Sequence, residues 1–229
     1  GRFVPTYMIY SAKVRPDIYL ITQNALADNT YMNVMRDLYG DQIWIPTPRD
    51  INQAFQKYVQ DVQSGRIQAG ADLTTEGGRV QVQGVAGVMK INALLCKQLF
   101  DNNQQITETQ TTSDTRPVGA AQVPSAPTQP NQTRAFYMEE SYPMPWMYPY
   151  LTPHGLILKL NNQPTPISSQ LIADDTAFWN WYTQRLSSDP RFIRDIVARK
   201  SFSKLRTAIA SLFVFGGYLS DSLTVLTAH

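Results

Sequence analysis

Few residues in this chain have the types and spacing that catalysis requires. Glu139 and Glu140 are paired carboxylates, the residue type that glycoside hydrolases place on either side of a sugar bond. Neighbouring residues of an extended segment point to opposite faces, so these two side chains cannot flank one bond. His154 is the only histidine before the C-terminal residue, and a lone histidine without a placed nucleophile favours a turn residue over a general base. We therefore predict no catalytic residue in this chain alone.

Metal, redox and nucleotide chemistry are not predicted either. Cys96 is the single cysteine, so the chain can form neither an internal disulfide nor a cluster of thiolate metal ligands. The sequence contains no zinc-type spacing, no glycine-rich phosphate loop and no basic segment interleaved with aromatics. The net charge of +2 argues neither for nor against a nucleic-acid partner. We expect no cofactor and no nucleic acid.

The most unusual composition lies in residues 135–154, which contain six aromatics, three methionines and four prolines. The prolines predict an extended, stiff loop between a strand at residues 136–138 and another at 155–160. In one interpretation Trp146, Tyr148 and Tyr150 form an exposed platform for a sugar, a peptide or the membrane interface. Polar contacts would then come from Glu139, Glu140 and His154. In the other, which we favour, the aromatics fill the end of a sheet as core.

A second candidate binding site lies at the end of a predicted strand in residues 17–24. The uninterrupted apolar run at 18–21 predicts a strand that is buried on both faces, as in a parallel or mixed sheet. Gln23 and Asn24 would stand at its carboxyl end, where open α/β sheets bind their ligands. Polar residues there are also common turn formers, so both interpretations stay open.

The remaining elements surround this strand. Helices are predicted at residues 29–39, 47–64 and 88–102, a short strand at 42–46 and a hairpin or edge strand at 77–84. In the first helix, one face should cover the sheet. Its members are Tyr31, Val34, Met35 and Leu38. Residues 104–132 are rich in Gln, Thr, Ser, Pro and Ala, which predicts a long mobile surface loop.

The C-terminal third reads as helices that begin near Asp174 and Asp189. Basic residues outnumber acidic ones between residues 185 and 206. Such a surplus is attracted to anionic lipid by about 1 kcal/mol per basic residue near the membrane. We therefore name Arg191, Arg194 and Lys204 as candidate contacts to an anionic surface. A solvated helix face is the simpler alternative.

Several motifs together resemble the soluble portion of a bacterial family of multi-spanning membrane proteins of unknown function. That family is similar to protein O-mannosyltransferases of the GT-C glycosyltransferase class. The motifs lie at residues 1–9, 14–17, 21–31, 78–89, 145–151 and 153–157. Residues 202–206 resemble the family's lead-in to tetratricopeptide-type helices.

The resemblance implies a location and a role. Spanning helices would precede Gly1, and this portion would lie on the extracytoplasmic, periplasmic side of the membrane. The catalytic acid of such transferases lies near the first spanning helices, outside this chain. The family's helical array would stop here after about one unit, too few for a stable solenoid.

We therefore expect an α/β layered fold with a mostly parallel or mixed sheet and a helical C-terminal appendage. The predicted domains are residues 1–165, which carry the loop at 104–132, and residues 166–229. The predicted function is that of an accessory domain of a membrane-bound glycosyltransferase-like protein. It would position a polypeptide acceptor, or dock to its parent membrane domain or other subunits. The alternative is a structural subunit of a membrane-associated complex without a transferase role.

Overall fold

A computed structural model describes residues 3–68, 73–76, 79–82, 84–104, 133–139 and 143–217. The contacts divide the chain into two compact units, an N-terminal unit, Gly1–Gln132, and a C-terminal unit, Thr133–His229. We expected the boundary after residue 165. The observed division comes earlier because helices of the C-terminal third pack on a strand at Leu151–His154, which joins them to the second sheet.

The described part of the N-terminal unit is mainly helical. Helix α1 is Phe3–Thr6, continued by a π-helical turn at Tyr7–Ser11, and a 3₁₀ turn lies at Gln23–Ala25. Helices α2, α3 and α4 are Asn29–Tyr39, Pro48–Gln63 and Val85–Asn103. The predicted helices at 29–39, 47–64 and 88–102 are thereby confirmed. A hairpin of strands β1, Leu73–Glu76, and β2, Arg79–Val82, precedes α4.

Side-chain caps explain where α2 and α3 begin. Asp28 accepts hydrogen bonds from the backbone N–H groups of Thr30 and Tyr31, at 2.8 and 3.2 Å. Thr47 accepts from the N–H of Asp50, and Asp50 accepts in return from the N–H of Thr47, which makes a complete capping box. These caps pair N–H groups that a helix leaves without partners.

The predicted face of α2 is partly wrong. Met32, Met35 and Tyr39 are its buried residues, whereas Val34 and Leu38 are about half exposed. The helix therefore turns a neighbouring stripe toward the core.

The predicted strand at residues 17–24 is wrong. Residues 18–22 form no strand; Ile18 is exposed, and the next four residues are half-buried. Helix α2 supplies partners that a sheet would otherwise provide, because the Tyr39 hydroxyl accepts from the N–H of Leu20 at 3.3 Å and the Tyr31 hydroxyl accepts from Thr22 at 2.6 Å. The apolar run indicates contact with the core. In the structure a helix, and not a neighbouring strand, is the partner in that contact.

The predicted strand at residues 42–46 is wrong for the same reason. Asn103 of α4 accepts a hydrogen bond from the N–H of Trp44 at 2.8 Å and donates to its carbonyl at 2.9 Å. One side chain thus pairs both backbone groups of Trp44, as a neighbouring strand would. Ile43 and Ile45 on either side are buried in the core.

The C-terminal unit contains a small antiparallel sheet. Strands β3, Phe136–Met138, β4, Leu151–His154, and β5, Ile157–Leu160, lie in the order β3-β5-β4. The predicted strands at 136–138 and 155–160 are confirmed. Residues between them are less extended than predicted, because Pro145–Tyr150 forms a 3₁₀ helix. Pro153 is tolerated because β4 is an edge strand.

Three helices complete this unit: α5, Ser169–Ser187, α6, Pro190–Arg194, and α7, Ile196–Phe215. Aromatic rings join them, with Trp179 of α5 5.5 Å and Phe192 of α6 5.6 Å from the Phe202 ring of α7, both edge to face. Such pairs stabilise the packing beyond the area they bury.

The described residues combine helix and strand, as an α/β class predicts. Both sheets among them are antiparallel, so they contain no layered parallel sheet. Residues 105–132 of the predicted loop, Glu140, the turn at 77–78 and residues 218–229 lie outside the described residues.

Candidate functional site

The end of β4 and the first turns of α5 line an open pocket of about 210 Å³. We call it the carboxylate pocket. It is lined by Pro153, His154, Gly155, Leu171, Asp174, Asp175 and Phe178. The backbone that forms it is well defined: β4 turns into β5 through two residues, of which Gly155 has a φ of +63°, a value that suits glycine.

The first turn of α5 is fixed by its own cap. Ser168 accepts a hydrogen bond from the N–H of Leu171 at 3.2 Å, and Leu171 lines the pocket. The Phe178 ring lies over Gly155, and a side chain added at Gly155 would meet that ring at 3.4 Å. The pocket therefore has one aromatic wall and one wall with carboxylates.

Asp175 is the unusual member of this pocket. It is only 5% exposed, and within the described part of the chain neither carboxylate oxygen has a hydrogen-bond partner. Burial raises the pKa of Asp175 to about 7. The nearby Trp179 indole lowers that pKa part of the way, although the pair lacks the geometry of a hydrogen bond. A buried, unpaired carboxylate is costly, and such groups cluster at functional sites.

Buried polar atoms continue along the same face of α5. The Trp179 Nε1 and Thr183 Oγ1 atoms are also buried and have no partner among the described residues. Asp175, Trp179 and Thr183 follow one another at intervals of four residues, so the three side chains lie on one face of the helix. Neighbouring Ile172 is buried on this side as well.

The sequence prediction included His154 but missed both aspartates. His154 is exposed at the end of β4, and its ring lies 5.2 Å from the Tyr137 ring. Asp174 is exposed and accepts a hydrogen bond from Gln170 at 2.8 Å. The acidic pair predicts the start of a helix near Asp174, but α5 begins earlier, at Ser169, so both aspartates lie within the helix. A useful signal was available, since Asp175 lies three residues after Ile172 and four before Trp179, on an otherwise apolar stripe.

The other predicted contacts in the aromatic segment are not gathered at this pocket. Trp146, Tyr148 and Tyr150 are half-buried, and Glu139 is exposed after β3. The Tyr148 ring lies 4.8 Å from that of Phe215, and the Trp146 ring lies 6.4 Å from that of Tyr150. These ring contacts favour the interpretation in which the aromatics pack as core.

Gln23 and Asn24 lie in the 3₁₀ turn of the N-terminal unit, and among the described residues no strand directly precedes this turn. Asn92 of α4 donates to the Asn24 carbonyl at 3.0 Å and accepts from the N–H of Ala27 at 2.8 Å. The backbone of this turn is therefore tied to α4. That position favours the turn-forming interpretation of the two residues.

The predicted anionic contacts lie at the junction of α6 and α7, which we call the basic corner. Its members are Arg191, Ile193, Arg194, Ile196, Val197, Lys200 and Lys204. Ile193, Ile196 and Val197 are 52%, 63% and 69% exposed. Basic residues surround an apolar tip, an arrangement typical of segments that lie in a membrane interface.

Two acidic residues next to the basic corner, Asp189 and Asp195, cap the N-termini of α6 and α7. Asp189 accepts from the N–H of Arg191 at 2.8 Å, and Asp195 accepts from the N–H groups of Val197 and Ala198 at 2.9 and 3.0 Å. Within the described residues Arg191 and Arg194 form no salt bridge. Among the described residues, no acidic side chain therefore neutralises the charges of Arg191 and Arg194 through a salt bridge.

Comparison with known proteins adds no assignment. No protein family, curated protein or solved structure matches this chain.

Other chemistry finds little support in the described residues. Burial raises the pKa of the Cys96 thiol to about 12, so it is not a reactive nucleophile. No group of three His, Cys, Asp or Glu side chains within the described ranges could hold a metal ion. None of the helices among the described residues has the length and hydrophobicity needed to cross a bilayer.

Proposed function

We propose that this chain is an accessory domain of a membrane-bound, glycosyltransferase-like protein, which rests on the anionic membrane surface and positions an acceptor or docks partners there. The motif resemblance supports the glycosyltransferase-like part of the proposal. The membrane contact is supported by one observation, the exposed apolar tip within the basic corner.

Two contributions would hold the corner to a membrane. The first is burial of the exposed apolar surface of Ile193, Ile196 and Val197 in the membrane interface. Removing apolar surface from water is favourable by about 25 cal/mol per Å². Each basic side chain near an anionic surface adds about 1 kcal/mol. Val197, Lys200 and Lys204 have helical spacing that places them on one side of α7, so apolar and basic contacts can form together.

The test is flotation of the whole chain with vesicles of phosphatidylcholine alone or with added phosphatidylglycerol. We expect binding to the anionic vesicles only, and a combined Arg191→Glu, Arg194→Glu, Lys204→Glu variant should weaken it by about 3 kcal/mol, roughly 100-fold. The matched control reverses three exposed charges of the N-terminal unit, Arg49, Lys57 and Lys90, and should bind like the wild type. Equal weakening in both variants, or none in the first, would reject the membrane contact.

The alternative, a structural subunit of a membrane-associated complex, is favoured by a different surface. Helix α2 exposes Val34 and Leu38, one turn apart, although both are large and apolar. Under this alternative, Leu38→Glu should release a single stoichiometric partner that co-purifies with the chain, while vesicle binding stays unchanged. Loss of vesicle binding without loss of a partner would favour the first proposal.

A further inference from the structure

The carboxylate pocket contains a buried carboxyl group that its own lining does not pair. Its seven lining residues include two aspartates and one histidine but neither lysine nor arginine. Asp175 is more than nine-tenths buried, and within the described residues both of its carboxylate oxygens lack a hydrogen-bond donor. Burying a charge without a partner is costly, so a ligand that supplies positive charge and N–H donors would be stabilised there.

The rest of the lining suits an alkyl chain. Pro153, Leu171 and the Phe178 ring supply apolar surface, and an aromatic face attracts a cation within about 6 Å. A volume of about 210 Å³ is smaller than the roughly 300 to 1,000 Å³ of pockets for drug-sized molecules. The pocket therefore matches a slender ligand with a positively charged end.

A metal ion fits this pocket less well. The described residues contain no group of three His, Cys, Asp or Glu side chains arranged to hold one. An ammonium group needs fewer ligands, because its three N–H donors can be shared between carboxylates and an aromatic face.

We propose that the carboxylate pocket binds a primary alkylammonium group, with the ammonium at Asp175 and the alkyl stem along Phe178, Pro153 and Leu171. A lysine side chain of a polypeptide is a ligand of this class. The site does not depend on the proposed membrane contact, so either can fail without the other.

The test is an NMR titration of the whole chain with a capped lysine, Nα-acetyl-lysine N-methylamide. Capped norleucine, which has a similar aliphatic stem without the ammonium, is the matched probe. The indole N–H signal of Trp179, assigned with Trp179→Phe, reports on the pocket. We expect saturable shifts of this signal and of the His154 ring with capped lysine, and none with capped norleucine.

Variants locate the interaction. Asp175→Asn should weaken capped-lysine binding at least tenfold, whereas Asp101→Asn, an exposed change in the N-terminal unit, should leave it unchanged. Phe178→Leu should weaken binding several-fold and gives a second test should Asp175→Asn fail to fold. Equal responses to the two probes, or wild-type affinity in whichever of the two pocket variants folds, would overturn the proposal.

Discussion

Each unit contains a deeply buried polar side chain, Asn92 in one and Asp175 in the other, and the two differ in their hydrogen bonding. In the N-terminal unit Asn92 is fully buried, and its amide accepts from Ala27 and donates to the Asn24 carbonyl. In the C-terminal unit Asp175 is almost as buried, yet neither of its oxygens has a partner within the described residues. The first group pairs backbone that would otherwise be unsatisfied, while the second is itself unsatisfied.

This difference separates a structural role from a functional one. A buried amide with complete hydrogen bonds stabilises one arrangement of the chain. Its removal leaves the buried groups that it paired without partners, which lowers the free energy of unfolding. A buried carboxylate without a partner lowers the stability of the fold, and such costs are typical of binding and catalytic sites. Substitution should therefore destabilise the protein at Asn92 and stabilise it at Asp175.

The largest effect is expected for Asp175→Asn as the pH rises. Because the folded-state pKa is raised to about 7 from 3.8, ionisation of Asp175 destabilises the fold increasingly between about pH 4 and pH 7. The cost is absent below that range and complete above it. From pH 5 to pH 8 the wild type should lose roughly 3 kcal/mol relative to Asp175→Asn, at about 1.4 kcal/mol per pKa unit.

Urea unfolding at the two pH values measures this difference. In a Trp44→Phe background the three remaining tryptophans all lie in the C-terminal unit, so their fluorescence reports on that unit. Asp174→Asn removes the exposed neighbouring carboxylate and should follow the wild-type curve. Parallel pH dependence in the wild type and Asp175→Asn would show that the buried carboxyl does not set this slope.

Asn92→Ala should have the next largest effect, with the opposite sign. It leaves the Ala27 N–H and the Asn24 carbonyl without their partner, and we expect a loss of about 2 to 3 kcal/mol in the free energy of unfolding. Faster hydrogen exchange of the Ala27 amide should accompany it.

Asn102→Ala is the matched control on the same helix. Asn102 is exposed and donates only to the Gln98 carbonyl of its own helix, so its loss should cost less than about 0.5 kcal/mol. Similar losses in the two variants would contradict the structural role of Asn92.

Local signals in the sequence were sufficient for most helices and for two strands of the second sheet, β3 and β5, whereas β4 lies where an extended loop was predicted. The caps at Asp28 and Thr47 and the apolar spacing of residues 88–102 depend on neighbours in the chain, and the structure confirms all three helices. The strands at 17–24 and 42–46 could not be predicted correctly from the same signals. Their apolar runs identify burial, whereas the group that pairs their backbone is a helix side chain, 9 residues away for Thr22 and 59 residues away for Trp44.

The candidate site was predictable only in part. His154 was identified because it is rare in the sequence, and the basic corner because its charges are close together. Asp175 was missed because its importance as a site residue depends on its burial where α5 packs on β4. The sequence does not show that these two elements are in contact. An acidic residue within an apolar helical stripe is the local pattern that deserves such a test.

The smallest effects are expected at the tyrosine hydroxyls that replace a sheet partner. The Tyr31 hydroxyl accepts from Thr22 at 2.6 Å, and the Tyr39 hydroxyl accepts from Leu20 at the longer distance of 3.3 Å. Tyr31→Phe should therefore cost about 1 kcal/mol and Tyr39→Phe less. Amide hydrogen exchange should increase at Thr22 in the first variant and at Leu20 in the second. If neither amide exchanged faster, another group would have to hold residues 18–22 in place, and the explanation for the missing strand would fail.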